Sequence, residues 1–125
     1  MTQKPRSLEA PGEVDYDYKN DILFFKVKDR EYDRSIEFQN LVIDVDSENF
    51  ITGLQIFNAS EYLGLPKENL RNVPNWKFQS TTKEGAIEIR LFFQTMLRNK
   101  IIENRPIIQL QSEENLPNSE IIVEV

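Results

Sequence analysis

Three acidic side chains open the stretch DVDSENFITGLQIF, which runs from Asp44 to Phe57. Asp44, Asp46 and Glu48 stand at the first, third and fifth positions of a calcium-binding loop, where oxygen ligands belong. The later positions break that pattern. Asn49 occupies the place of the glycine that makes the sharp turn, Gln55 the place of the bidentate glutamate, and the flanks read as strands where helices are required. A hairpin accounts for the same residues without an ion. Asp46 ends one strand and its carboxylate accepts backbone N–H groups across Ser47 and Glu48, Asn49 takes the left-handed conformation, and the chain returns through FITGLQIF. Gly53 in the returning strand predicts a bulge or a close backbone approach. Asp44, Asp46, Asn49 and Gly53 are therefore read as turn-forming residues.

A second grouping of carboxylates, Asp15, Asp17 and Asp21, lies in one expected hairpin. Paired with Asp44 and Asp46 it could supply the acid and the base of glycosidic hydrolysis. The rival reading of this chain is accordingly a carboxylate-dependent metal site or hydrolase built on Asp17, Asp21, Asp44 and Asp46. No other polar convergence accompanies these residues, and acidic turn and edge positions serve equally to oppose aggregation. The expectation is therefore no catalytic residue, no metal ligand and no cofactor.

Composition narrows the chemistry further. The 125 residues include no cysteine and no histidine, which excludes disulfides, thiolate or histidine nucleophile relays and the usual zinc ligands. The N-terminal MTQKPRSLEAPGEV has no apolar core of a secretory signal, and no apolar run approaches the ~18 residues of a membrane span. A cytoplasmic protein with no membrane contact is expected. The net charge of −6 is uneven. Residues 67–105 hold eight basic and four acidic side chains, a surplus of four positive charges, so the rest of the chain carries −10.

The elements that must position these residues are mostly strands. Eight Phe, four Tyr and one Trp against four Gly predict an aromatic interior. VDYDY, ILFFKV, SIEFQ, LVIDVD and FITGLQIF read as successive strands, with a turn at KND between the first two. NASEYLGLPKENLRNV reads as one short helix stopped at Gly64 and Pro66, with a further turn from Lys67 to Arg71. NWKFQST alternates again. GAIEIRLFFQTMLR fits a helix or a strand, and the strand places Ile87, Ile89, Leu91, Phe93, Thr95 and Leu97 on one face, so a strand is expected. Asn99 and Lys100 then form a hairpin turn into IIENRPIIQLQ, where Pro106 demands an edge strand or a bulge. EIIVEV closes the chain. Residues 1–12 are read as a flexible arm and 13–125 as a single domain. The expected fold is mainly β, an antiparallel meander forming a two-layer roll or sandwich with one short helix.

Tyr16-Asp17, then Asp21, then Leu23-Phe24-Phe25 resemble the opening of the domain-of-unknown-function 2283 family. Asp44-Val45-Asp46, Gly53-Leu54-Gln55-Ile56 and Asn58-Ala59-Ser60 continue the resemblance, over about residues 14–60. Asn49 replaces the family's turn glycine, and Gln55 its glutamate. The resemblance implies a small β-rich prokaryotic protein without an established activity. It also implies an antitoxin-like role beside a small partner.

Two association readings remain. A nucleic-acid surface can be drawn from Trp76, Lys77, Phe78, Arg90, Phe92 and Arg98, but the acidic pI of about 4.7 opposes phosphate attraction. Phe92 and Met96 fall on the otherwise polar face of their strand, and with Trp76 they form the candidate protein interface. The expected function is protein association, as a homodimer or with a small basic protein partner.

Overall fold

The computed structural model describes residues 6–125. It contains ten strands: β1 (Arg6–Asp17), β2 (Ile22–Val27), β3 (Tyr32–Glu37), β4 (Leu41–Asp46), β5 (Ile51–Phe57), β6 (Trp76–Lys83), β7 (Ala86–Leu97), β8 (Lys100–Asn104), β9 (Ile107–Gln111) and β10 (Ser119–Glu124). Two five-residue helices, α1 (Ala59–Leu63) and α2 (Lys67–Arg71), separate β5 from β6. The strand order is β3-β4-β5-β2-β1-β10-β6-β7-β8, with β9 also on β7. The β-rich fold read from the sequence is thus what forms.

Strand β1 joins the two halves of the sheet. Residues from Gly12 onward pair antiparallel with β2, while Arg6 to Pro11 run parallel to β10. Among the described residues this is the one parallel joint in an otherwise antiparallel sheet, and it arises because the first and last described strands meet without a connecting turn. The expected arm over residues 1–12 is corrected for residues 6–12, which are strand. Their sequence alternates too weakly to be read as one, and their order comes from the remote β10 edge. The preceding five residues of that arm lie outside the described residues. Gly12 sits where β1 leaves one partner for the other, and a Cβ there would overlap Val123 Cγ1. Its lack of a side chain lets the two halves cross closely.

The halves face each other over one core. Phe25 on β2 meets Trp76 at 5.3 Å and Phe78 at 5.8 Å on β6, and Trp76 meets Phe93 at 4.3 Å. Strand β7 places Ile87, Ile89, Leu91, Phe93 and Thr95 inward, as its period of two predicts; the Leu97 side chain lies outside the described residues. The hairpin after β7 is one residue earlier than expected. Leu97 pairs with Lys100, so the loop is Arg98–Asn99, with φ of 51° and 63°. Two successive left-handed residues are what a two-residue turn needs to match strand twist.

Strands β8 and β9 form one continuous edge. Phe93 lies opposite Asn104 and Arg90 opposite Ile107, a register that does not change across the gap. Pro106 interrupts the ladder only by lacking an N–H, and its carbonyl still accepts the Leu91 N–H at 3.1 Å. Of the two outcomes expected at Pro106, the edge strand is found and the bulge is not.

Candidate functional site

The hairpin between β4 and β5 is built around Asp46. Its side chain is 1% exposed. One carboxylate oxygen accepts the N–H groups of Glu48 at 2.9 Å and Phe50 at 2.8 Å. The other accepts from Arg30 Nε at 2.7 Å. The Asp46 carbonyl receives the Asn49 N–H at 3.0 Å, and Asn49 has a φ of 66°. Arg30 also bonds Glu48 at 2.7 Å. Arg6 donates to the Glu48 carbonyl and stands 4.3 Å from the Phe50 ring centre. Asp46 and Asn49 both shape the turn, and both carboxylate oxygens are engaged, one within the hairpin and one by Arg30 from the connection between β2 and β3.

Gly53 also behaves as expected. Register shifts between Asp44 and Val45, leaving Thr52 as an extra residue, and a Cβ on Gly53 would lie 2.6 Å from Asp44 Oδ2. Asp44 itself accepts from Ser35 Oγ at 2.7 Å on the outer face. A groove of about 370 Å³ runs beside Asp44, lined by Glu13, Asp15, Lys26, Asp44 and Gln55 among others.

The other acidic turn lies at the opposite end of the same strands. Asp17 accepts from the Asn20 N–H at 3.0 Å and its amide at 2.8 Å, and these bonds hold its carboxyl below the usual range. Asp21, not Asn20, takes the left-handed conformation, with φ 56°. It accepts from Tyr16 Oη at 2.5 Å, Ser60 Oγ at 2.6 Å and the Ser60 N–H at 3.0 Å. Burial pushes the Asp21 carboxyl up, but the bonds from Ser60 and Tyr16 outweigh it and the net shift is downward. Burial and the bond to Asp21 together push the Tyr16 phenol well above its ordinary value. Asp21 thereby ties the β1–β2 hairpin to the start of α1. Sequence reasoning missed Tyr16 and Ser60 as its partners, because their separations from Asp21 carry no local pattern.

Asp17 and Asp21 stand at the Leu41 end of the sheet and Asp46 at the far end of β4. Five strand steps of ~3.3 Å put them ~17 Å apart. The structure therefore does not bring the four candidate carboxylates together. Among the described residues no three Asp, Glu, His or Cys side chains converge as a metal site.

The candidate interface residues divide. Trp76 is 5% exposed and belongs to the core, which corrects its assignment as an interface residue. It faces inward with Phe78, whose ring is 1% exposed, so neither offers a base-stacking surface. Phe92 is half-buried on the outer face, with Lys77 Nζ 5.6 Å from its ring centre. Met96 is 65% exposed and pairs across the hairpin with Ile101, also 65% exposed. Ile107, 53% exposed, continues the same edge. Ile101 and Ile107 were missed as surface residues. The signal was present in IIENRPII, where isoleucines outnumber what an edge strand can bury on one face.

A Methanosarcina mazei protein provisionally named a hypoxanthine phosphoribosyltransferase is 29% identical over 71% of this chain and 72% of its own length. An uncharacterised protein of Methanocaldococcus jannaschii is 22% identical over 88% of this chain and 96% of its own. No solved structure matches. Among the described residues no helix is long and apolar enough to cross a membrane. Residues 13–60, from the antiparallel part of β1 through the start of α1, match the family described as a protein of unknown function, DUF2283.

Proposed function

We propose that this protein acts by association and not by catalysis, through the free sheet edge formed by β8 and β9 and the outer face beside it. One observation carries the reading: Met96 and Ile101 are directly paired across strands, yet both are 65% exposed. A cross-strand apolar pair held in water at a sheet edge gains by being covered, and the unpaired backbone of the edge offers hydrogen bonds to whatever covers it.

The name of the Methanosarcina relative would suggest a phosphoribosyl substrate, which proteins hold with loop N–H groups or a helix N-terminus. In this chain the stretch Asp44 to Phe50 closes a β-hairpin, its amides at Glu48 and Phe50 already bonded to Asp46. Both helices are five residues long. These features favour association over that chemistry.

Sedimentation velocity across a concentration series tests the proposal. The wild-type protein should show a mass that rises with concentration, and Ile101→Lys should weaken association at least about tenfold, since one lost apolar contact and a buried charge exceed ~1.4 kcal/mol. An unchanged series in the variant would place the contact elsewhere.

A further inference from the structure

We infer that the occupant of this edge is a second copy of the same chain, joined antiparallel along Lys100–Ile108 with a two-fold axis at Asn104. The inference rests on the association reading above and names its partner and register.

Consider first which backbone groups are free. The Leu91 N–H bonds the Pro106 carbonyl, and the Ser112 N–H bonds the Gly85 carbonyl. Even-numbered residues of this edge therefore turn their N–H and C=O toward β7. Alternation along an antiparallel strand then turns those of Ile101, Glu103, Arg105 and Ile107 outward. Pro106 is on the inward set. Its missing N–H costs a bond to β7 and leaves the outer side of the edge open, which is the reverse of a protective edge proline.

The side chains then select a register. Outward-facing residues must meet outward-facing residues, and the set Ile101, Glu103, Arg105 and Ile107 reads as its own charge-reversed mirror about Asn104. With the axis there, Ile101 meets Ile107 of the second copy and Glu103 meets its Arg105. By symmetry the same contacts form on the other side, as an isologous joint requires. Each outward backbone group gains a partner. Met96, Ile101 and the second copy's Ile107 then form a continuous apolar row across the joint, since Met96 already pairs with Ile101. Registers shifted by two residues set Ile101 against Arg105 with Glu103 against its own copy, or Ile107 against Glu103 with Arg105 against its own copy, so each buries a charge against an isoleucine and sets like charges opposite. In the isolated chain Arg105 and Glu103 lie 3.5 Å apart with 70% and 58% of their side chains exposed, so both are available to exchange partners. A joint confined to one strand and its adjacent face lies at the small end of specific interfaces, below ~1,200 Å², so the dimer should dissociate on dilution.

Charge reversal tests the register. Glu103→Arg and Arg105→Glu, each at an exposed position, should each weaken dimerisation at least about tenfold by setting like charges opposite. The double variant Glu103→Arg/Arg105→Glu should recover it. In the cysteine-free chain, Asn104→Cys should also cross-link to a dimer on mild oxidation, because a pair on the axis without mutual hydrogen bonds sits ~4.5 Å apart, within disulfide reach. Gln109→Cys should not. Dimers that ignore both single reversals, or a double variant that stays dissociated, would overturn the register and leave the association reading standing. Wild-type protein that stays monomeric when pure at every concentration would overturn the second copy as the occupant.

Discussion

At one end of the strand order, β3 turns Tyr32, Asp33, Ser35 and Glu37 to solvent and carries a register shift between Tyr32 and Arg34. At the other end, Lys100–Gln111 turns Ile101 and Ile107 outward in an unbroken register. Charges and a bulge are how soluble proteins keep a sheet edge from pairing. The first edge uses both, and its Arg34 is further engaged by Asp33, Asn49 and Glu114. The second edge has its charges at Lys100, Glu103 and Arg105 beside a run of isoleucines, and its proline points the wrong way to guard it. Both edges belong to one folded sheet with one core, so stability alone does not explain why they differ. An edge left open beside one that is closed has the form of a binding surface.

The largest effect that would sharpen this contrast is at Asp46. Removing its carboxylate in Asp46→Ala leaves the Glu48 and Phe50 N–H groups and Arg30 without their acceptor. The expected loss is about 3 kcal/mol of unfolding free energy, read from a urea midpoint without added ions. A stability that instead responds to calcium in the wild type and not in the variant would restore the metal reading of this turn.

A smaller effect is expected at Asp21, which lies at neither edge. Asp21→Asn replaces an acceptor of three hydrogen bonds with a group that must present donors, at an expected cost of about 2 kcal/mol. The folded carboxyl is held below its ordinary value of 3.8. Its contribution is therefore fully present above that pH and lost as pH falls through the lower folded value. The wild type should lose stability more steeply than Asp21→Asn as pH drops below about 4. Association measured at neutral pH should be the same in both, because the Asp21 carboxylate bonds Tyr16 and Ser60 and no residue of Lys100–Gln111. A change in association here would mean that the open edge senses the whole fold and is not a local surface.

These two turns also mark how far the sequence could be read. Hairpins announce themselves locally: Asp46, Asn49 and Gly53 lie within one short segment, and the turn chemistry follows from residue types alone. The strand assignment of β7 was legible for the same reason, since its alternation is periodic. The parallel joint between β1 and β10 was not, because it unites the two ends of the chain and leaves no periodic trace in Arg6 to Pro11. Nor was the burial of Trp76. Alternation shows which residues share a face but not which face meets the other layer, and Trp76 was decided by Phe25 from a remote strand together with its cross-strand partner Phe93.

The smallest effect concerns salt, and it separates two forms of association. A joint made by Ile101 against Ile107 and by backbone hydrogen bonds contains only the Glu103–Arg105 contacts for ions to screen, and these lie at the surface. Exposed pairs contribute about 0–1 kcal/mol each, and screening them removes part of that. Between ~0.05 and ~0.5 M salt the dimer constant should therefore change by no more than about threefold. Contact made instead by the −10 portion of the chain with a basic partner would be governed by long-range charge, and would weaken steeply over the same range. That portion includes the closed edge at β3. A steep salt dependence would thus reverse the comparison, making the charged edge the binding surface and the isoleucine edge the bystander.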